Sequence, residues 1–218
     1  MSSALLGDDA DLLVRGGRIY TVDATDSVAT AIAVRDGVIV ATDAAAEALS
    51  AREVVQLDGR TAIPGLNDAH LHAAWLGARW PHLFFSDTPP EEQPTGRLVA
   101  TADERRAALR RAWALLAELG VTSYTEPGIG PGEDHGETGC FGTDMLDAYV
   151  ELHRQGAQTS RVTLLRLFGT IDGESSLDDF AAGLPVPPPS TDSRWLAIPG
   201  VKIFADGIPP MATAWTSD

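Results

Sequence analysis

A chain of 218 residues with 31 acidic and 16 basic side chains, net charge −15, has room for one large domain or two small ones. So acidic a surface disfavours nucleic acid and anionic membranes as partners, and the single cysteine, Cys140, excludes an intrachain disulfide and a cysteine-based zinc site. Met1 to Asp9 lack the basic start and apolar core of a signal peptide, and no stretch is long enough to span a bilayer, so a cytoplasmic location is expected.

Residues 12–63 read as short strands: 12–15, 18–22, 29–34, 38–41, 54–57 and 61–63, with a short helix over 44–51. Asp36-Gly37 between two apolar runs is a tight hairpin signal, and Asp58-Gly59 splits the last two strands. About 50 residues are few for a self-sufficient sandwich. Residues 1–63 are therefore expected to form part of a composite β-sandwich, with open edges and an uncovered apolar face.

After Pro64 strands alternate with helices. Strands are expected over 66–72, 121–125, 161–168 and 201–205, and helices over 103–119, 143–155 and, weakly, 175–182. Gly120 is a C-terminal stop for the first of these helices, and Thr143 or Asp144 is the expected cap of the second. Such alternation predicts a parallel sheet with crossover helices. A (β/α)8 barrel takes about 250 residues, so residues 64–218, with four strands, read as the N-terminal half of a barrel.

Two features carry chemistry. In Pro64-Gly65-Leu66-Asn67-Asp68-Ala69-His70-Leu71-His72 the histidines stand at i and i+2. On a strand both would face the same side, with Asp68 beside them, and two converging imidazoles make half of a divalent-metal site. The competing reading is a pair of surface histidines. The second feature is Lys202, the sole lysine against 15 arginines, placed in the apolar run Val201-Lys202-Ile203-Phe204. A desolvated lysine can lose its proton, and a neutral amine can take up carbon dioxide to become an anionic carbamate that bridges two metal ions. The competing reading is a lysine on a solvent-facing strand edge.

The order of a β segment, Pro-Gly-Leu-Asn-Asp-Ala-His-Leu-His, βα units and Val-Lys-Ile-Phe-Ala-Asp-Gly resembles the amidohydrolase superfamily, and most of all its branch called amidohydrolase family 3. Leu119-Gly120-Val121-Thr122-Ser123 resembles the same branch. The resemblance covers nearly the whole chain but only the N-terminal part of a family member. It implies a metal-dependent hydrolase of amide or other C–N bonds on a barrel, with one or two divalent ions, zinc above all. His70 and His72 match its first-strand ligands. Lys202 matches a fourth-strand lysine that some members carboxylate, and Asp68 matches an acid that supports the histidine pair without touching the metal. Two further histidines and a catalytic aspartate come from later strands in the family, which implies a truncated chain. The implied substrate is a small amide-type molecule, and a homo-oligomer is compatible with the sequence. An inactive fragment that binds metal weakly or pairs with another chain is the alternative, and a deaminase of the same superfamily is the alternative chemistry.

Lesser candidates are Glu126, at the end of the second barrel strand, as a substrate contact or a solvated loop acid, and Asp206, as a partner that orients Lys202 or a structural cap. His82, His135 and His153 read as surface residues. Cys140, with no base near it in sequence, reads as inert. The run Gly128 to Gly132 is too proline-rich for a phosphate loop.

Overall fold

The computed structural model describes residues 9–82, 89–171, 175–204 and 215. The chain divides into two compact units, Met1–Pro64 and Gly65–Asp218.

The first unit is a five-stranded sheet built from β1 (Ala10–Tyr20), β2 (Val28–Arg35), β3 (Val38–Thr42), β4 (Ala51–Gln56) and β5 (Thr61–Ala62), in the order β3-β2-β1-β4 with β5 also on β1. β2 and β3 join through Asp36 and Gly37, both at positive φ (52° and 75°), the two-residue turn whose twist suits a hairpin. The short helix α1 (Asp43–Glu47) covers one face, where Leu13, Ala31, Ala33 and Ala46 are buried. Register places Leu12, Val14, Ile32, Val34, Ile39 and Val55 on the other face. There Ile39 is 58% exposed and Val55 37%. The sheet is thus aliphatic on both faces, and α1 packs on one of them.

The second unit is a four-stranded parallel sheet in sequential order: β6 (Leu66–Asp68), β7 (Val121–Ile129), β8 (Arg161–Leu167) and β9 (Leu196–Lys202). Helices α2 (Ala73–Arg79), α3 (Ala102–Glu118), α4 (Thr143–Arg154) and α5 (Leu177–Gly183) fall between them. α3 starts in a capping box in which Thr101 Oγ1 accepts from the Glu104 amide and Glu104 accepts from the Thr101 amide. The core lies between sheet and helices, around Leu109, Trp113, Tyr124, Met145, Tyr149, Leu152 and Leu164.

Several elements differ from the sequence reading. β6 stops at Asp68, because Asp68 Oδ1 takes the His70 amide in a local turn that competes with the ladder. α2, which follows at once, has no sequence precedent above. α4 is capped by neither Thr143 nor Asp144: Gly142 is its cap residue, and Asp134 Oδ1, from the preceding loop, accepts from the Thr143 amide at 2.6 Å. α5 is capped by Ser176, whose Oγ accepts from Asp179. β9 begins five residues earlier than expected and ends at Lys202; Ala205 and Asp206 lie outside the described residues.

α2 and α3 approach so closely that a Cβ on Gly77 would sit 1.9 Å from the carbonyl oxygen of Ala108. Backbone cannot yield as a flexible side chain can. Gly77→Ala is therefore expected to destabilise this unit by about 3 kcal/mol, the overpacking cost outweighing the better helix propensity of alanine. All five tryptophans lie in residues 65–218, so a urea titration followed by tryptophan fluorescence reads this unit alone. An unchanged midpoint would disprove the tight crossing.

Candidate metal centre

The C-terminal ends of parallel strands are where α/β sheets gather functional groups, and the candidate residues collect there. His70 and His72 are not on β6 but on the turn that follows it. Three bonds shape that turn. Asp68 Oδ1 accepts from His70 N at 3.0 Å, Leu71 N donates to Thr125 O at 2.9 Å, and Ala73 N donates to Glu126 Oε2 at 2.9 Å. The second of these ties the residue between the histidines to β7. The rings meet edge to face with centroids 5.3 Å apart, and Phe141 packs against the other side of His72 at 5.1 Å. The histidines thus converge through turn geometry, and not through the strand alternation expected from their spacing.

Glu126 is the largest departure from the sequence reading. It is neither a solvated acid nor exposed for substrate contact, but fully buried. Its Oε1 pairs with His72 Nδ1 at 2.8 Å, and its Oε2 accepts from the Ala73 amide and, at 3.0 Å, from the Tyr149 hydroxyl. Tyr124, two residues away on the same face of β7, bonds Tyr149 at 3.1 Å and accepts from Trp113 Nε1 at 2.9 Å. Burial, with the Glu126 charge nearby, pushes both phenols well above the ordinary tyrosine value, so both remain hydrogen-bond donors. No sequence signal marked this group: Trp113 lies within the helix expected over 103–119, and a buried acid and a solvated one look alike in sequence.

Lys202, at the end of β9, has its stem beside Gly128, where a Cβ would lie 3.7 Å from Lys202 Cγ. Gly128 holds φ at 143°, which few side chains adopt, and it interrupts the β7–β8 register between Pro127 and Ile129. Lys202 Nζ lies 4.6 Å from the centre of the Phe204 ring. Partial loss of hydration around the ring, then the neighbouring His72 and Lys202, hold His70 below the ordinary histidine value, against a smaller opposing pull from Glu126 and Asp68.

Among the described residues no three His, Cys, Asp or Glu side chains group to hold a metal ion. The donors at hand are two imidazoles and the Lys202 amine. The imidazoles suit a divalent ion: Glu126 meets His72 through Nδ1, the kind of contact by which metal-bound histidines are usually supported, so that Nε2 is the ring nitrogen left for a ligand bond.

Comparison of the sequence with family models and with curated proteins finds no match. Solved structures do match. An uncharacterized metal-dependent hydrolase from Pyrococcus horikoshii shares 15% identity over 92% of this chain and 56% of its own, with a TM-score of 0.61. One from Pyrococcus furiosus shares 17% over 92% and 57%, with a TM-score of 0.62. The fold is that of the metal-dependent hydrolases. A third structure with this hydrolase fold, the zinc-complexed atrazine chlorohydrolase TrzN from Arthrobacter aurescens, shares 15% over 91% and 47%, with a TM-score of 0.55. The chain spans about half the length of the solved hydrolases it matches.

The remaining candidates stand apart from the histidine turn. His82 follows α2, and His135 is exposed in the loop after β7. His153, half-buried, accepts from the Asp192 amide through Nε2 and meets Gln158 through Nδ1, which pins the loop before β9. Cys140 is fully buried, and burial pushes its thiol up to about 11. It is expected to resist a disulfide reagent in the native protein and to react fully in denaturant, a contrast that a colorimetric thiol assay reads. Among the described residues no helix is long and apolar enough to cross a membrane.

Proposed function

We propose that this chain carries the first half of a (β/α)8 barrel and the first metal ligands of an amidohydrolase, one that cleaves amide or other C–N bonds in a small molecule. The observation that carries the reading is His70 and His72 converging beside Glu126 at the C-terminal end of a parallel sheet, in a fold shared with metal-dependent hydrolases. His70 and His72 would hold the ion. Lys202, as its N-carboxylated form, would be the third donor, since the free ammonium would repel a cation. A bound zinc ion would supply Lewis acidity, activating water and polarising the scissile carbonyl. Glu126 holds His72 in place, Asp68 shapes the backbone at His70, and Phe141 packs against the His72 ring. The second sheet that would cover Leu12, Val14, Ile32 and Val34, the catalytic acid and the later ligands would come from outside the described residues.

The absence of a three-donor group among the described residues favours one refinement: residues 1–218 by themselves bind metal weakly and turn over little. General acid-base help is worth about 10² to 10⁴ in rate, and an incompletely walled pocket leaves water to screen every electrostatic interaction with the substrate. Calorimetric titration of the polypeptide with zinc in bicarbonate should give saturable binding, followed by little hydrolysis of N-acyl and N-formyl substrates. No binding up to millimolar zinc would remove the metal reading. Robust turnover would remove the refinement.

A further inference from the structure

Trp113, Tyr124 and Tyr149 are the three largest fully buried side chains, and all three spend a polar atom on one line of bonds. The line runs from Trp113 on α3 through Tyr124 on β7, Tyr149 on α4 and Glu126 on β7 to His72 before α2. Indole N–H can only donate, so Tyr124 Oη accepts from it. The Tyr149 proton goes to Glu126 Oε2, so the proton of Tyr124 goes to Tyr149. A carboxylate can only accept, so His72 Nδ1 carries the proton that meets Glu126 Oε1. With the donor-only indole at one end and the Glu126 carboxylate accepting from both Tyr149 and His72, one arrangement of protons satisfies every atom. Reversing the Tyr149 or His72 link would set an acceptor against the Glu126 carboxylate, and reversing the Trp113 link has no donor to supply it, so each reversal carries the cost of an unsatisfied polar group.

We propose that Tyr149, Tyr124 and Trp113 are positioning residues, which act through Glu126 to hold the proton of the His72 ring on Nδ1 and leave Nε2 as the nitrogen for a metal ion. The tautomer lock stands on the geometry alone, and its consequence for metal rests on the reading of His72 as a ligand. Packing by itself does not require it: phenylalanines at positions 124 and 149 would fill nearly the same space. The line makes the state of a ring at the site depend on Trp113 in the core of α3, four hydrogen bonds away.

The test uses the whole 218-residue polypeptide, metal-free and ¹⁵N-labelled at histidine, with the His72 signals assigned by their loss in His72→Gln. Long-range ¹H–¹⁵N spectra of the wild type should show His72 with Nδ1 protonated and Nε2 not. Tyr149→Phe removes one of the two donors that hold Glu126 Oε2, so the carboxylate is free to turn away from His72 Nδ1, and His72 should become a mixture of tautomers. It should also weaken zinc binding about tenfold, the low end of the effect of outer partners on metal affinity. Where Tyr149→Phe does not fold, Tyr124→Phe, one link further out, gives the same readings in smaller measure. A lowered melting temperature with an unchanged His72 tautomer would overturn the proposal, since a merely structural role predicts that pattern. A tautomer shift in a polypeptide that binds no zinc would support the positioning line while removing the metal reading.

Discussion

Zinc affinity is expected to fall by about 10⁴-fold when His70 and His72 are both replaced by alanine. Four-ligand zinc sites are worth about 10–16 kcal/mol, so each ligand contributes roughly 3 kcal/mol, and two lost ligands remove about four powers of ten. The single variants separate two effects. His70 has its amide, and not its ring, in the hydrogen bond with Asp68, so His70→Ala removes a donor with little else disturbed and should weaken binding about 100-fold. His72→Ala also leaves Glu126 Oε1 buried without its partner, which should lower stability by about 1–3 kcal/mol. Calorimetry on all three variants beside thermal melts checks both halves. Wild-type affinity in the double variant would mean that zinc binds elsewhere.

Trp113→Ala is expected to cost the second unit about 3–5 kcal/mol, a large part of the 5–15 kcal/mol that stabilises a typical domain. Trp113 is 1% exposed, packs on Tyr149 with ring centroids 6.2 Å apart, and joins α3 to the sheet. Alanine leaves a cavity that sheet and helix cannot close, and it takes from Tyr124 Oη its incoming hydrogen bond. Trp113→Phe fills most of the space and should cost far less. Urea denaturation followed by circular dichroism distinguishes the two, and equal midpoints for Trp113→Ala and wild type would contradict the central place given to this side chain.

The strands and long helices were legible because burial imposes a period. The apolar run at residues 161–168 became β8, the amphipathic run at 103–119 became α3, and Asp36-Gly37 became a hairpin turn. Where a local polar group competes with the period, the pattern misleads. Asp68 ends β6 by taking the His70 amide, and Asp134, nine residues before Thr143, caps α4 from a loop. Lys202 stood out by count alone, yet its strand starts at Leu196, since Pro199 and Gly200 hid the strand in sequence.

The site shows the same division. Sequence by itself determined which residue types were available for metal chemistry, two histidines two apart and one lysine, because those identities are covalent facts. That Glu126 is buried under His72, and that Trp113, Tyr124 and Tyr149 reach it, was decided only by the tertiary structure. A carboxylate reads the same in water or in a core, and what fixes its role is which donors the packing of α2, α3 and α4 against β7 brings within bonding distance.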